Sequence, residues 1–392
     1  MEIKTLGELC DIVSGGTPSR AKAEFWNEGT IPWIKIGNIK GKYVNEADEF
    51  ITQEGLAGSS AKMLAKGTVL YTIFATLGEV GILEIDACTN QAIAGLTIKD
   101  TNQLSTDYLY YYLRSKKAYV NNVGRGVAQN NINMSILRSF QLPLPELSKQ
   151  IEIVEIIDKV SKIIEARQQE LECLDDLIKA RFVEMFGDPQ INPFHWDVVN
   201  ISEVVGGKVS NGFFAKRDDY CDDGNVSILG VANIVNRMYS KVDELPKTNA
   251  NNKDIEKFEV KYGDMLFCRS SLVAEGIGKA SIVPEDVHEN VLFECHVIRL
   301  PLDLNKCVPE FMQTLSTMDF FRNQVVAQSK TATMTTIGQD GILKSDIILP
   351  PIEKQKEFYD FVKQVDKSKV VVQKSLDETQ QLFDSLMQKY FG

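Results

Sequence analysis

The segment KQIEIVEIIDKVSKIIEARQQELECLDDLIKARFVEMFG, from Lys149 to Gly187, occurs again in altered form from Lys354 to Gly392, as KQKEFYDFVKQVDKSKVVVQKSLDETQQLFDSLMQKYFG. The two copies align without a gap at a constant shift of 205 residues. Identical pairs at this shift include Gln150/Gln355, Leu171/Leu376, Leu177/Leu382, Phe186/Phe391 and Gly187/Gly392. Each copy closes a longer portion of chain. The sequence therefore predicts two similar halves, each a globular portion followed by a long helix.

Both copies carry apolar residues at alternating spacings of three and four, which is the pattern of a coiled-coil seam. Neither copy contains an internal Gly or Pro that would break a helix. In the first copy the seam positions are Gln150, Ile153, Ile157, Val160, Ile164, Arg167, Leu171, Leu174, Ile178, Arg181 and Met185. In the second they are Gln355, Phe358, Val362, Val365, Lys369, Val372, Leu376, Thr379, Phe383, Leu386 and Tyr390.

The residues at the ends of the copies are typical of helix ends. Pro145 and the pair Pro350 and Pro351 stand just before the two helices, where a missing N–H costs least, and Gly187 and Gly392 stand where a helix would end. A helix of this length spans roughly 60 Å at 1.5 Å per residue. We expect the two helices to pack on each other as an antiparallel pair. The alternatives are ordinary core helices or a coil that pairs two copies of the chain.

The portions before the helices also match, although more loosely. IKTLGELCDIVSGGTPS from Ile3 parallels VVNISEVVGGKVSNGFF from Val198, and LAKGTVLYT from Leu64 parallels VKYGDMLFC from Val260. Short β-rich runs between Gly and Asn turns indicate strands, at Val69–Ile73, Ile93–Ile98, Met265–Cys268 and His296–Leu300. The predicted fold is α+β: two similar, mainly β domains separated by two long helices in an antiparallel coiled coil, with pseudo-two-fold symmetry. The predicted boundaries are 1–145 and 188–345 for the domains, and 146–187 and 346–392 for the helical spacers.

Composition excludes several classes of protein. The 392 residues are 44% hydrophobic and 25% charged, as in a soluble globular protein of two or three domains. No apolar run is long enough to cross a membrane, and the first residues lack the basic start and apolar core of a signal peptide. Seven scattered cysteines form no CxxC pair and, with three histidines, no zinc pattern, so we expect reduced core thiols in a cytoplasmic protein. The net charge of −11 still permits a local cationic face for nucleic acid.

The order of half-domain, long helix, half-domain, long helix resembles the specificity subunit of a type I restriction–modification system. LPLPELSKQ and ILPPIEKQ before the helices, and EMFGDPQINPFHW after the first, are similar to that family too. The resemblance covers the whole chain. It implies two target-recognition domains, each reading one half of a split site in double-stranded DNA, with the helices as a ruler.

The same resemblance implies partners. The first helical region and its C-terminal copy would dock two methyltransferase (modification) subunits, which methylate adenine with S-adenosylmethionine. A restriction and translocase subunit would join for cleavage. ATP and Mg²⁺, like S-adenosylmethionine, are expected on these partners, with no cofactor or metal in this chain.

Polar loops with cations are the segments suited to contact base edges and phosphates, because Asn and Gln can bind adenine and Arg can bind guanine bidentately. In the first half the candidates are Lys35, Asn38, Lys40, Lys42, Thr76, Arg125, Gln129, Asn130, Asn131 and Asn133. In the second half they are Asn211, Lys216, Arg217, Asn233, Arg237, Arg269, Ser270, Ser271, Lys330, Thr331, Thr333 and Thr335. Asn-rich stretches are also typical of turns, and surface Lys is commonly only solvated. Phe213 and Phe214 are predicted to pack in the core or a loop.

Motifs for catalysis are missing. We find no Gly-rich cofactor loop after a strand and no Asp/Asn-Pro-Pro-Tyr/Phe tetrapeptide of an adenine methyltransferase; Asn192–Phe194 has a single Pro. EGIGKASI, which ends at Ile282, lacks the spacing of a Walker loop. The sequence therefore predicts a non-catalytic DNA-specificity scaffold. The alternatives are a self-contained DNA adenine methyltransferase and a coiled-coil adaptor without DNA contact.

Overall fold

The structure is a computed structural model that describes residues 2–124, 131–331 and 334–392. The chain forms two compact units, which we call unit 1 (residues 1–168 and 374–392) and unit 2 (residues 169–373). The α-helices of the described chain are α1 Leu6–Leu9, α2 Gln53–Ala57, α3 Thr106–Ser115, α4 Lys117–Gly124, α5 Met134–Arg138, α6 Leu147–Phe186, α7 Asn252–Phe258, α8 Pro309–Thr317, α9 Asp319–Ala327, α10 Gln339–Leu343 and α11 Ile352–Phe391. The unit boundaries cut α6 and α11 in the middle, so each unit contains the first part of one long helix and the last part of the other.

The two long helices run antiparallel inside each unit. The core of unit 1 joins Ile153 and Ile157, near the start of α6, to Phe383 and Met387, near the end of α11. The core of unit 2 makes the reverse combination, of residues late in α6 with residues early in α11. Every seam position predicted from the sequence is buried or half-buried in both helices. The predicted antiparallel helix pair is therefore confirmed.

The last Phe of each long helix is buried against the other half of the chain. Phe391 of α11 lies 5.0 Å from Tyr108 of α3, and Phe186 of α6 lies 4.9 Å from Phe311 of α8, both measured between ring centroids. Gly187 then ends α6 with a positive φ of 77°, a conformation that side chains with a Cβ rarely adopt. Each half therefore holds the far end of the other half's helix.

The strands of the first half are β1 Glu2–Thr5, β2 Cys10–Ser14, β3 Ile31–Ile34, β4 Tyr43–Val44, β5 Glu49–Ile51, β6 Val69–Thr72, β7 Val80–Leu83, β8 Cys88–Thr89, β9 Ile93–Ile98 and β10 Gln141–Leu144. They form a five-stranded sheet in the order β2-β9-β6-β7-β4, a three-stranded sheet in the order β5-β3-β8, and the pair β1-β10. In the three-stranded sheet β3 pairs antiparallel with β5 and parallel with β8.

The strands of the second half are β11 Asp197–Asn200, β12 Ser210–Asn211, β13 Val226–Leu229, β14 Lys247–Thr248, β15 Asp264–Cys268, β16 Ser270–Ser271, β17 Ala280–Ile282, β18 Val291–Phe293, β19 Val297–Pro301, β20 Lys330–Thr331, β21 Thr335–Thr336 and β22 Asp346–Leu349. The sheets β12-β19-β15-β17 and β14-β13-β18 and the pair β11-β22 repeat the orders of the first half. Their parallel and antiparallel pairings repeat as well. Tyr239 bridges Ile282 in parallel, where β4 pairs with β7 in the first half. The predicted duplication therefore extends to the topology of the sheets.

Two expectations about side chains fail in part. All seven cysteines are free, and four are buried, but Cys173 is exposed and Cys221 and Cys295 are half-buried. Phe213 packs edge-on against Phe258 as expected, whereas Phe214 is 69% exposed and packs in no core. Phe214, Cys221 and Cys295 lie in loops, where no periodic signal says which way a side chain faces, and Cys173 lies in α6 outside the seam positions.

Candidate nucleic-acid interface

A small sheet in unit 2 brings two distant candidate segments together. β21 lies between β16 and β20, so Ser270 and Ser271 pair with Thr336 and Thr335, and Lys330 pairs with Thr336. The Ile337 N–H donates to the Arg269 carbonyl at 3.0 Å and extends this pairing. The segments CRSSLV and QSKTATMTT, chosen separately in the sequence, therefore form one surface.

Several side chains of this surface are open to solvent. Lys330 and Thr331 are exposed, and the Thr331 and Thr335 hydroxyls lie 2.9 Å apart. Leu272 is 83% exposed in the loop after β16. Sequence analysis missed this leucine. A large apolar side chain in a polar loop is suited to contact a thymine methyl group or a base step.

Arg269 is less available than the sequence suggests. It is half-buried, and its Nη1 donates to the Cys295 carbonyl at 3.2 Å. Asn211 lies in the β12–β19 pairing, and its side chain is 3.2 Å from the amide of Gln339. Both side chains therefore stabilise the strand ends that border the surface. Arg269 keeps its other guanidinium nitrogens for a further contact.

The first half has the corresponding pairing. Phe74 bridges Asn131, and the Ile132 N–H donates to the Ile73 carbonyl at 3.1 Å, as Ile337 does to Arg269 in the second half. Thr76 is exposed in the loop after β6. The candidates Arg125, Gln129, Asn130 and Thr333 lie outside the described residues.

Three candidate asparagines have a local structural role. The Oδ1 atoms of Asn38, Asn133 and Asn233 accept backbone N–H groups of Lys35, Ile136 and Gly230 at 2.9, 2.9 and 3.0 Å. Asn38 and Asn233 close corresponding 3₁₀ turns after β3 and β13. A bidentate contact with adenine needs the side-chain oxygen as well as the nitrogen, and here the oxygen already serves the turn.

The candidate cations divide into paired and exposed groups. Lys35 Nζ lies 2.6 Å from Glu49, which also pairs with Arg20 at 2.5 Å. A hydrogen bond from Lys35 lowers the pKa of Glu49, although burial opposes it. Lys40, Lys216, Arg217 and Arg237 are exposed, and none has a carboxylate within 4 Å among the described residues. The exposed cations are the ones suited to phosphate contacts.

Lys42 belongs to the protein interior. Its Nζ pairs with Asp107 of α3 at 2.9 Å and with Asp158 of α6 at 2.8 Å, and Tyr111 also donates to Asp158. Burial would lower the pKa of Lys42, but the hydrogen bonds to Asp158 and Asp107 outweigh it and raise the pKa above its usual value. This ion cluster ties the sheet of unit 1 to the long helix, and we assign Lys42 to the fold.

The described residues contain no group of three or more His, Cys, Asp or Glu side chains placed to hold a metal ion. Within those residues, no helix has both the length and the apolar character needed to cross a bilayer.

The fold and this pairing define a class of protein: two α+β halves with the same strand order in their main sheets and the same loop pairing after β6 and β15, and two long helices that run antiparallel within each unit. The family model of the type I restriction modification DNA specificity domain matches residues 1–173 and 193–379. The chain therefore belongs to the type I restriction–modification DNA specificity family, and it is a specificity subunit of such a system. The resemblance stated from the sequence is confirmed.

Relatives extend over the whole chain. The chain is 21% identical over 412 residues to the MjaIX specificity subunit of Methanocaldococcus jannaschii, covering 99% of this chain and 92% of that protein. It is 20% identical over 419 residues to the EcoKI specificity subunit of Escherichia coli K12, covering 99% and 88%. The structure of the type I S subunit from M. genitalium matches with a TM-score of 0.50 at 13% identity, covering 100% of this chain and 96% of that one. This last likeness supports the fold.

Proposed function

We propose that residues 1–145 and 188–345 each bind one half of a split site in double-stranded DNA. The observation that carries this proposal is the repetition of one sheet topology in both halves, with the same loop pairing after β6 and after β15. Two copies of one reading surface in one chain are suited to two contacts along one duplex. The chain itself would be non-catalytic, since its candidate residues are suited to binding.

The long helices would set the distance between the half-sites. The seam is uninterrupted by Gly or Pro in both helices, and its positions are buried or half-buried along their whole length. Continuous helices with a packed seam resist bending, because each turn is held by side chains of its neighbour. A change in their length should therefore change the spacing that the protein accepts.

Partner subunits would dock on the outer faces of the helices. Leu177 and Leu382 are identical residues at the repeat shift, yet they are 46% and 51% exposed. An exposed leucine that occurs at the same position in both helices suits two copies of one partner. We propose that two methyltransferase subunits bind there and that a restriction and translocase subunit joins them. S-adenosylmethionine, ATP and Mg²⁺ would then be bound by these partners, and the complex would work in the cytoplasm.

The test uses the chain assembled with its partner subunits. Sequencing of methylated bases in a host that carries the complex gives the recognised site. Replacing Leu272 and Lys330 by serine should then weaken or relax recognition in one half of that site only, and Lys253→Ser on α7 is the control. An equal loss in both halves, or methylation without a split site, would refute the proposal.

A further inference from the structure

The two halves differ in charge at one pair of corresponding positions. Val69 pairs with Ile82 in the first half, and Met265 pairs with Ile282 in the second. The turns before β7 and β17 are therefore equivalent, and Gly78 and Gly278 both have positive φ values, of 83° and 63°. The residue after each glycine is Glu79 in unit 1 and Lys279 in unit 2.

A second pair of corresponding positions lies on the helix that faces each turn. Val120 of α4 lies against Gly78, and Val325 of α9 lies against Gly278 in the same way. The residue three positions earlier, which also lies against the glycine, is a lysine in the first half and an arginine in the second: Lys117 and Arg322. Lys117 and Arg322 therefore correspond, as Glu79 and Lys279 do.

The charges at these two positions cancel in unit 1 but not in unit 2. Lys117 Nζ lies 2.7 Å from Glu79 Oε1, whereas the same positions in unit 2 hold two cations. Arg322 Nη2 donates to the Glu275 carbonyl at 3.0 Å, and Lys279 Nζ donates to an amide oxygen at 2.7 Å. The Nη1 atom of Arg322 is inaccessible to solvent and has no hydrogen-bond partner. Among the described residues, no carboxylate lies within 4 Å of either cation.

Both cations line a cleft of about 570 Å³ that lies wholly within unit 2. Its other charged lining residues are Lys179, Arg237, Asp175, Glu275 and Asp319. Two of these are already paired: Asp175 with Lys369 at 2.6 Å, and Lys179 with Asp176 at 3.5 Å. The remaining carboxylates, of Glu275 and Asp319, are exposed. The cleft therefore has a surplus of cations beside a buried donor without an acceptor.

We propose that this cleft binds a phosphate group between Lys279 and Arg322. A guanidinium presents paired donors that match phosphate oxygens, and an ammonium adds a point charge. A bound phosphate would lie beside the Arg322 guanidinium and the Lys279 ammonium, and would take the place of the Glu79 carboxylate of unit 1. The phosphate can belong to a DNA backbone or to a free nucleotide. Only the first source rests on the proposed function.

The test uses the full chain and a variant that copies the arrangement of unit 1. Lys279→Glu should pair with Arg322, so the folded protein should stay at least as stable to heat. Lys253→Glu, on exposed α7, makes the same change of net charge and is the control. Pyrophosphate binding is measured by titration calorimetry, and binding of a mixed-sequence duplex is measured by anisotropy over a range of salt concentrations.

We expect Lys279→Glu to weaken pyrophosphate binding roughly tenfold or more relative to the control. If the phosphate is that of DNA, the slope of the logarithm of affinity against that of salt falls by about one as well. Loss of pyrophosphate binding with an unchanged DNA slope supports a free phosphorylated ligand. A wild-type chain that binds pyrophosphate but no DNA contradicts the proposed function and leaves the cleft supported. Equal pyrophosphate and DNA binding by both variants overturns the site.

Discussion

Gln355 should be among the most costly polar residues to replace in unit 2. It is fully buried at the start of α11, and its side chain makes three hydrogen bonds to backbone groups. Oε1 accepts from the Val308 N–H at 2.9 Å, and Nε2 donates to the Pro350 carbonyl at 2.7 Å and the Lys306 carbonyl at 3.3 Å. Gln355→Leu keeps most of the side-chain volume and removes all three bonds.

The expected loss follows from which of these groups are buried. The bonds to Val308 and Pro350 are buried, and a buried group left without a partner costs about 1–3 kcal/mol. We therefore expect Gln355→Leu to lower the free energy of unfolding by about 3 kcal/mol. Gln150 makes the same three bonds in unit 1, to the Ser105 N–H and the carbonyls of Gln103 and Pro145, but they are partly buried. Gln150→Leu should cost less, about 2 kcal/mol.

Urea unfolding measures the total loss, and hydrogen exchange at the Val308 amide locates it. Exchange at that amide should speed up in Gln355→Leu and stay unchanged in Gln150→Leu. Gln364→Leu, at an exposed position of the same helix, is the control and should change stability by less than about 0.5 kcal/mol. If Gln355→Leu behaves like this control, the buried hydrogen bonds do not hold the helix to the domain.

Three further predictions test the helices and the pH dependence. Leu177→Glu or Leu382→Glu should each remove one methyltransferase subunit from the assembled complex by native mass spectrometry, and the double variant should remove both. Val370→Glu, at an exposed position where the first copy already has glutamate, should leave assembly intact. Inserting one heptad into both long helices at the boundary between the units adds roughly 10 Å to each helix. The accepted half-site spacing should therefore lengthen by about three base pairs. An unchanged spacing in methylation sequencing would contradict the proposal that the helices set the spacing. Burial raises the pKa of Glu310 from 4.5 to about 7, so the folded carboxyl keeps a proton that the unfolded one loses. Glu310 should therefore contribute a fall of about 3 kcal/mol in the free energy of unfolding as pH rises from 4.5 to 7, and burial of Asp264, which raises its pKa to about 6, adds to the same slope. Glu310→Gln, unlike Asp319→Asn, should remove the Glu310 part of that slope.

The sequence predicts the helices and most of the long strands because their signals are local. The seam repeats over whole helices, and the run Ile93–Ile98 coincides with the bounds of β9. The duplication predicts that the two halves share their strand pairings, but only the structure shows which strands pair. Gln150 and Gln355 were visible as identical polar residues in the seam, but their partners precede the helices in turns that no periodicity marks.

The residues of the candidate site could likewise be predicted only where their signal is local in the sequence. The loops after β6 and β15 could be chosen from their position after a buried strand, and the structure pairs each with the distant polar segment chosen for the same half. Lys42 could not be separated from the exposed Lys40, because its partner Asp158 lies 116 residues further along the chain. A loop lysine looks the same in the sequence whether its carboxylate is near or absent.

Where the sheet meets the long helix, the two halves share their Gln and Phe contacts but differ in their charged contacts. The Gln hydrogen bonds and the terminal Phe contact occur in both units, and the Gln bonds reach backbone groups that both halves present. The Lys42 cluster needs three matched side chains. In unit 2 the residue that corresponds to Tyr43, Tyr239, instead donates its hydroxyl to Glu310 at 3.0 Å. No cation neutralises Glu310 among the described residues, so loss of its proton leaves a buried charge. Unit 1 holds a charged lysine at this junction over the same pH range. A rise from about pH 5 to pH 7 should therefore loosen unit 2 at α8 while hydrogen exchange in α3 of unit 1 stays constant.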